Sequence, residues 1–205
     1  MSRILLVRHG ETKLNSTHRF QGQIDVELGE DGLRQIEKIR DRLATHSIAA
    51  VYSSDLQRAL VTAETIASRH ELEVITCPEL REINFGECEG LTFEEICQLY
   101  PEMSELWSDW NSQMRFPGGE SVDELSTRVS KCLNRLEKHT PEQTILIVSH
   151  STPLRLILCS LMEIELEHWR QLRLDTASLS ILDIYQQLAI LSLLNDTSHL
   201  GQNSE

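Results

Sequence analysis

Ile4-Leu5-Leu6-Val7 runs directly into Arg8-His9-Gly10-Glu11. Four consecutive aliphatic residues, half of them β-branched, read as a strand buried on both faces, as in a parallel sheet. The guanidinium and imidazole that follow must stand where the strand leaves the core. Gly10 suits a tight backbone path or the close approach of a ligand. In open parallel α/β sheets, ligands bind beyond the carboxyl ends of the strands. His9 is therefore a candidate nucleophile and Arg8 a candidate anion clamp. Taken alone, the stretch is equally readable as a solvated strand end.

The chain beyond it alternates in the same way. Leu33, Ile36, Ile39, Arg40 and Leu43 carry a helical stripe. Residues 49–52 read as a second strand, and Ser53-Ser54-Asp55 supplies N-cap residue types. Leu56, Ala59, Leu60, Ala63, Ile66 and Ala67 make the next helix amphipathic. Residues 72–76 read as a third strand, ended by Pro78. Residues 81–120 differ: Phe85, Trp107, Trp110 and Phe116 lie there with few β-branched residues. They predict a cap with short helices near 93–99 and 102–112. Pro117-Gly118-Gly119 breaks the chain. Ser121-Val122-Asp123-Glu124 is a capping box before a helix that buries Val122, Leu125, Val129, Leu133 and Leu136. Residues 144–148 form a fourth buried strand, ending in Ser149-His150. Pro153 fits the first turn of a helix running on through 154–161. Two late strands, 178–184 and 188–194, form a hairpin, and a frayed polar tail starts at Asn195. This pattern predicts an α/β three-layer sandwich. Its sheet is mainly parallel, with an antiparallel edge strand and helices on both faces.

The totals narrow the class. A chain of 205 residues favours one domain, here 1–195 with a cap-like insertion at about 81–120 and a tail at 196–205. A net charge of −13 disfavours nucleic acid or an anionic membrane as partner. It leaves room for a small anionic substrate, because clustered arginines reverse the field locally. Cys77, Cys88, Cys97, Cys132 and Cys159 are odd in number and form no C-x-x-C pair. They read as reduced thiols packed as small hydrophobes, which with the lack of a signal peptide predicts a cytoplasmic protein. No apolar run approaches the ~20 residues of a membrane span.

The strand reading converges on one place. His9 follows strand one, His150 follows strand four, and Arg58 opens the helix after strand two. All three lie at one edge of the sheet with Arg8. Arginines offer forked donors matching phosphate oxygens. Two imidazoles add donors, or one attacks phosphorus. There is no Walker A sequence and no Ser in G-x-S-x-G. A phosphomonoester enzyme working through phosphohistidine is the economical answer. It needs an acid for the leaving alcohol. Glu82, after strand three, is the choice, with Glu11, Glu87, Glu89 and Glu120 in competition. His18 and Arg19, in the loop after the first strand, are candidates for meeting an anionic substrate.

The residues also carry a resemblance. Arg8-His9-Gly10-Glu11-Thr12 with Asn15, Gln21-Gly22 and Asp25 resembles the signature of the histidine phosphatase superfamily, which includes the cofactor-dependent phosphoglycerate mutases. So do residues 52–63 around Arg58, residues 80–90 around Glu82, Pro117-Gly118-Gly119-Glu120-Ser121 and Val148-Ser149-His150. The resemblance implies a phosphoglycerate mutase-like fold with His9 as phosphorylated nucleophile. It implies that Arg8, Arg58 and His150 bind the phosphoryl group and that Glu82 is the proton donor. Asn15, Gln21 and Gly22 would be lesser substrate contacts. No metal and no cofactor are implied, and the substrate is a small soluble phosphomonoester bound by a monomer or homodimer. Ser151-Thr152 stand where family members often have glycines; Ser151 there would add a phosphate donor or narrow the pocket. The third motif and the modest length look more like phosphatases than mutases. The stretches 107–110, 168–170 and 181–184 look similar to α-ribazole phosphatases of cobalamin assembly, and the cap aromatics would then stack on a base. A phosphoglycerate mutase, a non-catalytic phosphate-binding module and a metal hydrolase built on His9 and His150 are the competing classes.

Overall fold

The computed structural model describes residues 2–103, 115–136, 139, 142–186 and 188–201. β1 (Ser2–Arg8), β2 (Ile48–Ser53), β3 (Val74–Thr76), β4 (Thr144–Ser149), β5 (Leu179–Ile184) and β6 (Ala189–Asp196) form one sheet in the order β3-β2-β4-β1-β5-β6. The first four in that order are parallel; β5 and β6 are antiparallel to their neighbours. The helices are α1 (Lys13–Ser16), α2 (Glu30–Leu43), α3 (Gln57–Ser68), α4 (Phe93–Leu99), α5 (Val122–Leu136) and α6 (Ser151–Met162).

Two cores explain why the first strand reads as a continuous apolar run. Leu5 and Val7 pack with Val51, Leu146 and Val148 under Ile36 and Ile39 of α2 and Ala59, Ala63 and Ile66 of α3. Ile4 and Leu6 face the other way, with Tyr52, Ile145 and Ile147, under Leu125 and Val129 of α5 and Leu154 and Ile157 of α6. Alternate side chains of one strand thus enter opposite layers, so neither set tolerates a polar residue. The result is the predicted three-layer sandwich. Among the described residues no helix is long and apolar enough to cross a membrane.

The helix signals act as physics requires. Ser121 Oγ accepts from Glu124 N–H at 3.2 Å, and Glu124 accepts from Ser121 N–H at 3.0 Å, closing the capping box of α5. Thr92 and Glu95 do the same for α4. α2 opens with Glu30 and Asp31 at its positive end. Its Gly32 lies against the loop after β1: a Cβ there would stand 2.0 Å from the Glu11 carbonyl oxygen. Backbone, not a flexible side chain, is in the way. Gly32→Ala is expected to destabilise the protein by roughly 1–3 kcal/mol through overpacking. That lowers the melting midpoint by a few degrees per kcal/mol, read by thermal denaturation; an unchanged midpoint would show that the loop yields freely.

The helix expected to hold Pro153 in its first turn is α6, which starts at Ser151. Two expectations are corrected. β3 starts at Val74 rather than 72, because Leu72 N–H turns back to the Ala67 carbonyl and finishes α3. The chain does not fray at Asn195. β6 runs to Asp196, Asn195 exchanges bonds with Asp175 at 2.6 and 2.9 Å, and His199 Nε2 meets the Ala177 carbonyl at 3.0 Å. Those polar side chains satisfy a loop rather than solvent. The first predicted cap helix is α4. Residues 104–114, with Trp107 and Trp110 and most of the second, lie outside the described residues.

Candidate active site

The site begins with strand register. β1 pairs with β4 so that Arg8 stands opposite Ser149, and His9 N–H donates to the Ser149 carbonyl at 3.0 Å. His9 and His150 therefore leave the sheet side by side, with ring centroids 5.0 Å apart. His9 Nδ1 lies 2.7 Å from the Gly10 carbonyl oxygen, which only accepts, so Nδ1 carries the proton. In the neutral ring Nε2 is then the bare nitrogen. Burial, and after it the cations Arg58 and Arg8, hold the His9 pKa well below the ordinary imidazole value. The nitrogen is thus unprotonated at neutral pH. His150 has no exposed surface, and burial followed by Arg58, His9 and Arg8 depresses its pKa in the same way. Its Nε2 meets Ser54 Oγ at 2.9 Å. Leu56 N–H also donates to that hydroxyl, at 3.3 Å. His150 Nδ1 is buried without a hydrogen-bond partner.

The arginines are fixed by backbone. Arg58, in the first turn of α3, is only 1% exposed. It donates to the carbonyls of Ile24 at 2.8 Å and Gly22 at 2.7 Å. Gly22 has φ +52°, and a Cβ there would stand 1.9 Å from Glu89 Oε1, so glycine alone lets that carbonyl turn toward Arg58. Burial lowers the Arg58 pKa to about 10, which still leaves a full cation at neutral pH. Arg8 donates to the Leu174 carbonyl at 2.7 Å, and its pKa is also lowered by burial. The Nε of each arginine is a buried donor without a partner.

Glu82 is the candidate acid. It is 8% exposed, and its carboxylate accepts from its neighbour Ile83 N–H at 2.9 Å and from Thr152 N–H at 3.4 Å. A cavity of about 320 Å³ is lined by Arg8, His9, Asn15, His18, Arg19, Phe20, Gln21, Gly22, Arg58, Glu82 and Phe85. The competing acids are placed elsewhere. Glu87 accepts from Tyr100, Glu89 from the N–H groups of Gln23 and Phe85, and Glu120 from Arg128. Glu11 lines an adjoining cavity shared with Arg8, Asn15, His18 and Arg19.

The lesser candidates divide. Asn15, Gln21 and Gly22 line the cavity, Gln21 oriented by the Thr12 hydroxyl at 2.9 Å. Ser151 is not part of that lining; the group that reaches Glu82 from this turn is the Thr152 N–H. His18 and Arg19 do reach the wall, Arg19 anchored on Glu95 at 2.7 Å. Phe20 and Phe85 pack edge-to-face at 4.9 Å in the wall, whereas Phe116 behind them is core. Sequence reasoning missed Arg155 and Arg128. Arg155 lies over Trp169 at 5.5 Å, one helical turn beyond Thr152, and its charge faces Glu82, Asp175 and Arg8. Spacing from Thr152 on one helix face was the only signal available. Among the described residues, no three His, Cys, Asp or Glu side chains are grouped to hold a metal ion.

A bare imidazole nitrogen, two guanidinium groups and a carboxyl group line one cavity, with His150 packed beside His9 but outside that lining, and such a set can attack and stabilise a phosphoryl group. The sequence profile of the Histidine phosphatase superfamily (branch 1) matches residues 4–197. The chain is 34% identical over 202 residues to Phosphoserine phosphatase 1 of Hydrogenobacter thermophilus, covering 98% of this chain and 96% of that one. It is 35% identical over 204 residues to the Metal-independent phosphoserine phosphatase of Arabidopsis thaliana, covering 98% and 84%. The crystal structure of the alpha-ribazole phosphatase of Shigella flexneri superposes with a TM-score of 0.86 at 33% identity, covering 95% of this chain and 96% of that one. Site, fold and sequence agree, and the chain belongs to the histidine phosphatase superfamily, branch 1.

Proposed function

We propose that this histidine-phosphatase-type phosphomonoesterase works through His9 as nucleophile, without a metal. Arg8, Arg58 and His150 hold the phosphoryl oxygens. His9 Nε2 attacks phosphorus as the ester P–O bond breaks, and Glu82 gives its proton to the departing alcohol. Glu82, now a carboxylate, takes a proton from the attacking water. The P–N bond then breaks, releasing phosphate and restoring His9. The supporting observation is the 2.7 Å bond from His9 Nδ1 to the Gly10 carbonyl, which leaves Nε2 as the free nitrogen among the cations. Residues 81–120 serve as a cap contributing Glu82 and Phe85.

The substrate that fits best is a small phosphomonoester whose leaving group carries a carboxylate, such as phosphoserine. Arg19 and His18 in the wall favour it, and two relatives are named phosphoserine phosphatases. A second reading is α-ribazole 5′-phosphate, favoured by Phe20 and Phe85 in the wall and by the Shigella flexneri neighbour. The test is phosphate release from phosphoserine, 3-phosphoglycerate, α-ribazole 5′-phosphate and sugar phosphates, with chelator present throughout. Turnover undiminished by chelator is expected, with phosphoserine ahead in kcat/KM by tenfold or more, about 1.4 kcal/mol. A lead for α-ribazole phosphate selects the second reading. Interconversion of 2- and 3-phosphoglycerate after priming with a bisphosphate selects a mutase, and loss of activity on chelation rejects the metal-free mechanism.

A further inference from the structure

We propose that Arg128 of α5 is a positioning residue: it fixes the backbone of the segment that presents Glu82, and so sets how well the leaving oxygen is protonated. The inference rests on the reading of Glu82 as the acid.

Glu82 lies on irregular chain between β3 and the short turn at Gly86–Cys88. No ladder holds it, and the carbonyls of this segment need donors. Arg128 supplies them. Its Nη1 donates to the carbonyls of Glu79 at 2.7 Å and Arg81 at 2.6 Å, and its Nη2 to that of Glu82 at 2.7 Å. The remaining donors go to Glu120, Nε to Oε1 at 2.7 Å and Nη2 to Oε2 at 2.9 Å. Each N–H of the fork is used, as only a planar guanidinium permits. Glu120 carries the clamp onward, accepting from Asn84 N–H at 3.2 Å while its own N–H donates to the Asn84 carbonyl at 2.8 Å. Gln23 Nε2 adds a second donor to the Glu82 carbonyl at 3.2 Å, and Ser149 Oγ holds the Leu80 carbonyl at 2.6 Å. The chain from Leu80 to Asn84 is therefore pinned on both sides of Glu82, while Arg128 itself is not in the cavity lining.

A group that acts through Glu82 has a signature that a general structural role lacks. Protonation matters greatly for an alkoxide leaving group and little for an acidic phenol. Misplacing an acid by about 1 Å costs ~10²-fold where protonation is needed. The experiment compares kcat/KM, which excludes the later hydrolysis of phosphohistidine common to all substrates, on phosphoserine, or the best alkyl substrate of the panel, with kcat/KM on p-nitrophenyl phosphate. It uses the wild type, Arg128→Lys, Glu120→Gln and Glu82→Gln. The ratio of the two rates is independent of how much enzyme is folded. Arg128→Lys is expected to lower the alkyl-to-aryl ratio by roughly 10–100-fold, and Glu82→Gln by ~10²-fold or more. Glu120→Gln, which leaves Arg128 in place but breaks its anchor, should lower the ratio in the same direction. A lowered ratio in Glu82→Gln with an unchanged ratio in both Arg128→Lys and Glu120→Gln keeps the acid and overturns the role of Arg128. An unchanged ratio in Glu82→Gln removes the acid assignment itself, and the inference with it.

Discussion

His9→Ala is expected to lose phosphomonoester turnover by at least ~10⁴-fold, the scale seen when a covalent nucleophile is deleted. Transfer of labelled phosphate from substrate to protein should vanish with it. The expectation follows from the way the ring is held. Its Nδ1 proton is committed to the Gly10 carbonyl, so the nitrogen that remains has no task within the fold. Arg8, Arg58 and His150 keep their own anchors on Leu174, Gly22, Ile24 and Ser54 when the imidazole is removed. Phosphate should therefore still bind the variant, which separates binding from chemistry. Rapid-quench labelling worked up in alkali, where the acid-labile P–N bond survives, and inorganic phosphate titration make the two measurements. Turnover at the wild-type rate in His9→Ala would falsify the phosphohistidine route.

Arg58→Met is expected to cost kcat/KM ~10³-fold, in the range for deleting one preorganised donor to developing charge. A second consequence separates its charge from its shape. Arg58 is the larger of the two cationic influences that push His9 below the ordinary imidazole range. Without it, the His9 pKa rises toward 6.5. His9 must be neutral to attack, so in the wild type the nucleophile is lost only well below pH 6.5, whereas in Arg58→Met it is lost at milder acidity. ¹⁵N NMR titration of His9 in the free enzyme reads this directly, without the substrate's own ionisation near pH 6. Arg58→Lys keeps the charge and loses the fork, so it should leave the His9 titration near the wild type yet still lower kcat/KM. An unmoved titration in Arg58→Met would show that burial and Arg8, not Arg58, set the His9 pKa.

The sequence made the frame of this molecule legible wherever one chemical demand dominated. Residues 4–7 and 145–148 had to be apolar on both faces because α2 and α3 cover one side and α5 and α6 the other. Ser121 and Glu124 announced α5 through a reciprocal pair of bonds that only a helix start provides. The edge position of His9, Arg58 and His150 followed from those strands. What stayed hidden was set by long-range neighbours. Glu82, Glu87 and Glu89 lie within a few residues of irregular chain, and no periodicity says which one faces the cavity. Arg128 sits beside the apolar stripe of α5, where a guanidinium reads equally as a solvated charge. Asn195 and His199 looked like tail residues because their partners, Asp175 and Ala177, lie about twenty residues away along the chain.

The pairing of β1 with β4 has a wider consequence. The spacing of His9 and His150 is set by the hydrogen-bonded backbone of two adjacent central strands. The walls of the cavity are built differently: Asn15, His18, Phe20 and Phe85 stand on short or irregular segments outside the sheet. The two imidazoles and most of the substrate-facing wall are therefore set by separate parts of the chain. Substitutions at Asn15, His18 or Phe20 would change which alcohol fits while His9 and His150 stay in register. Only the segment carrying both Glu82 and Phe85 ties the shape of the wall to the chemistry.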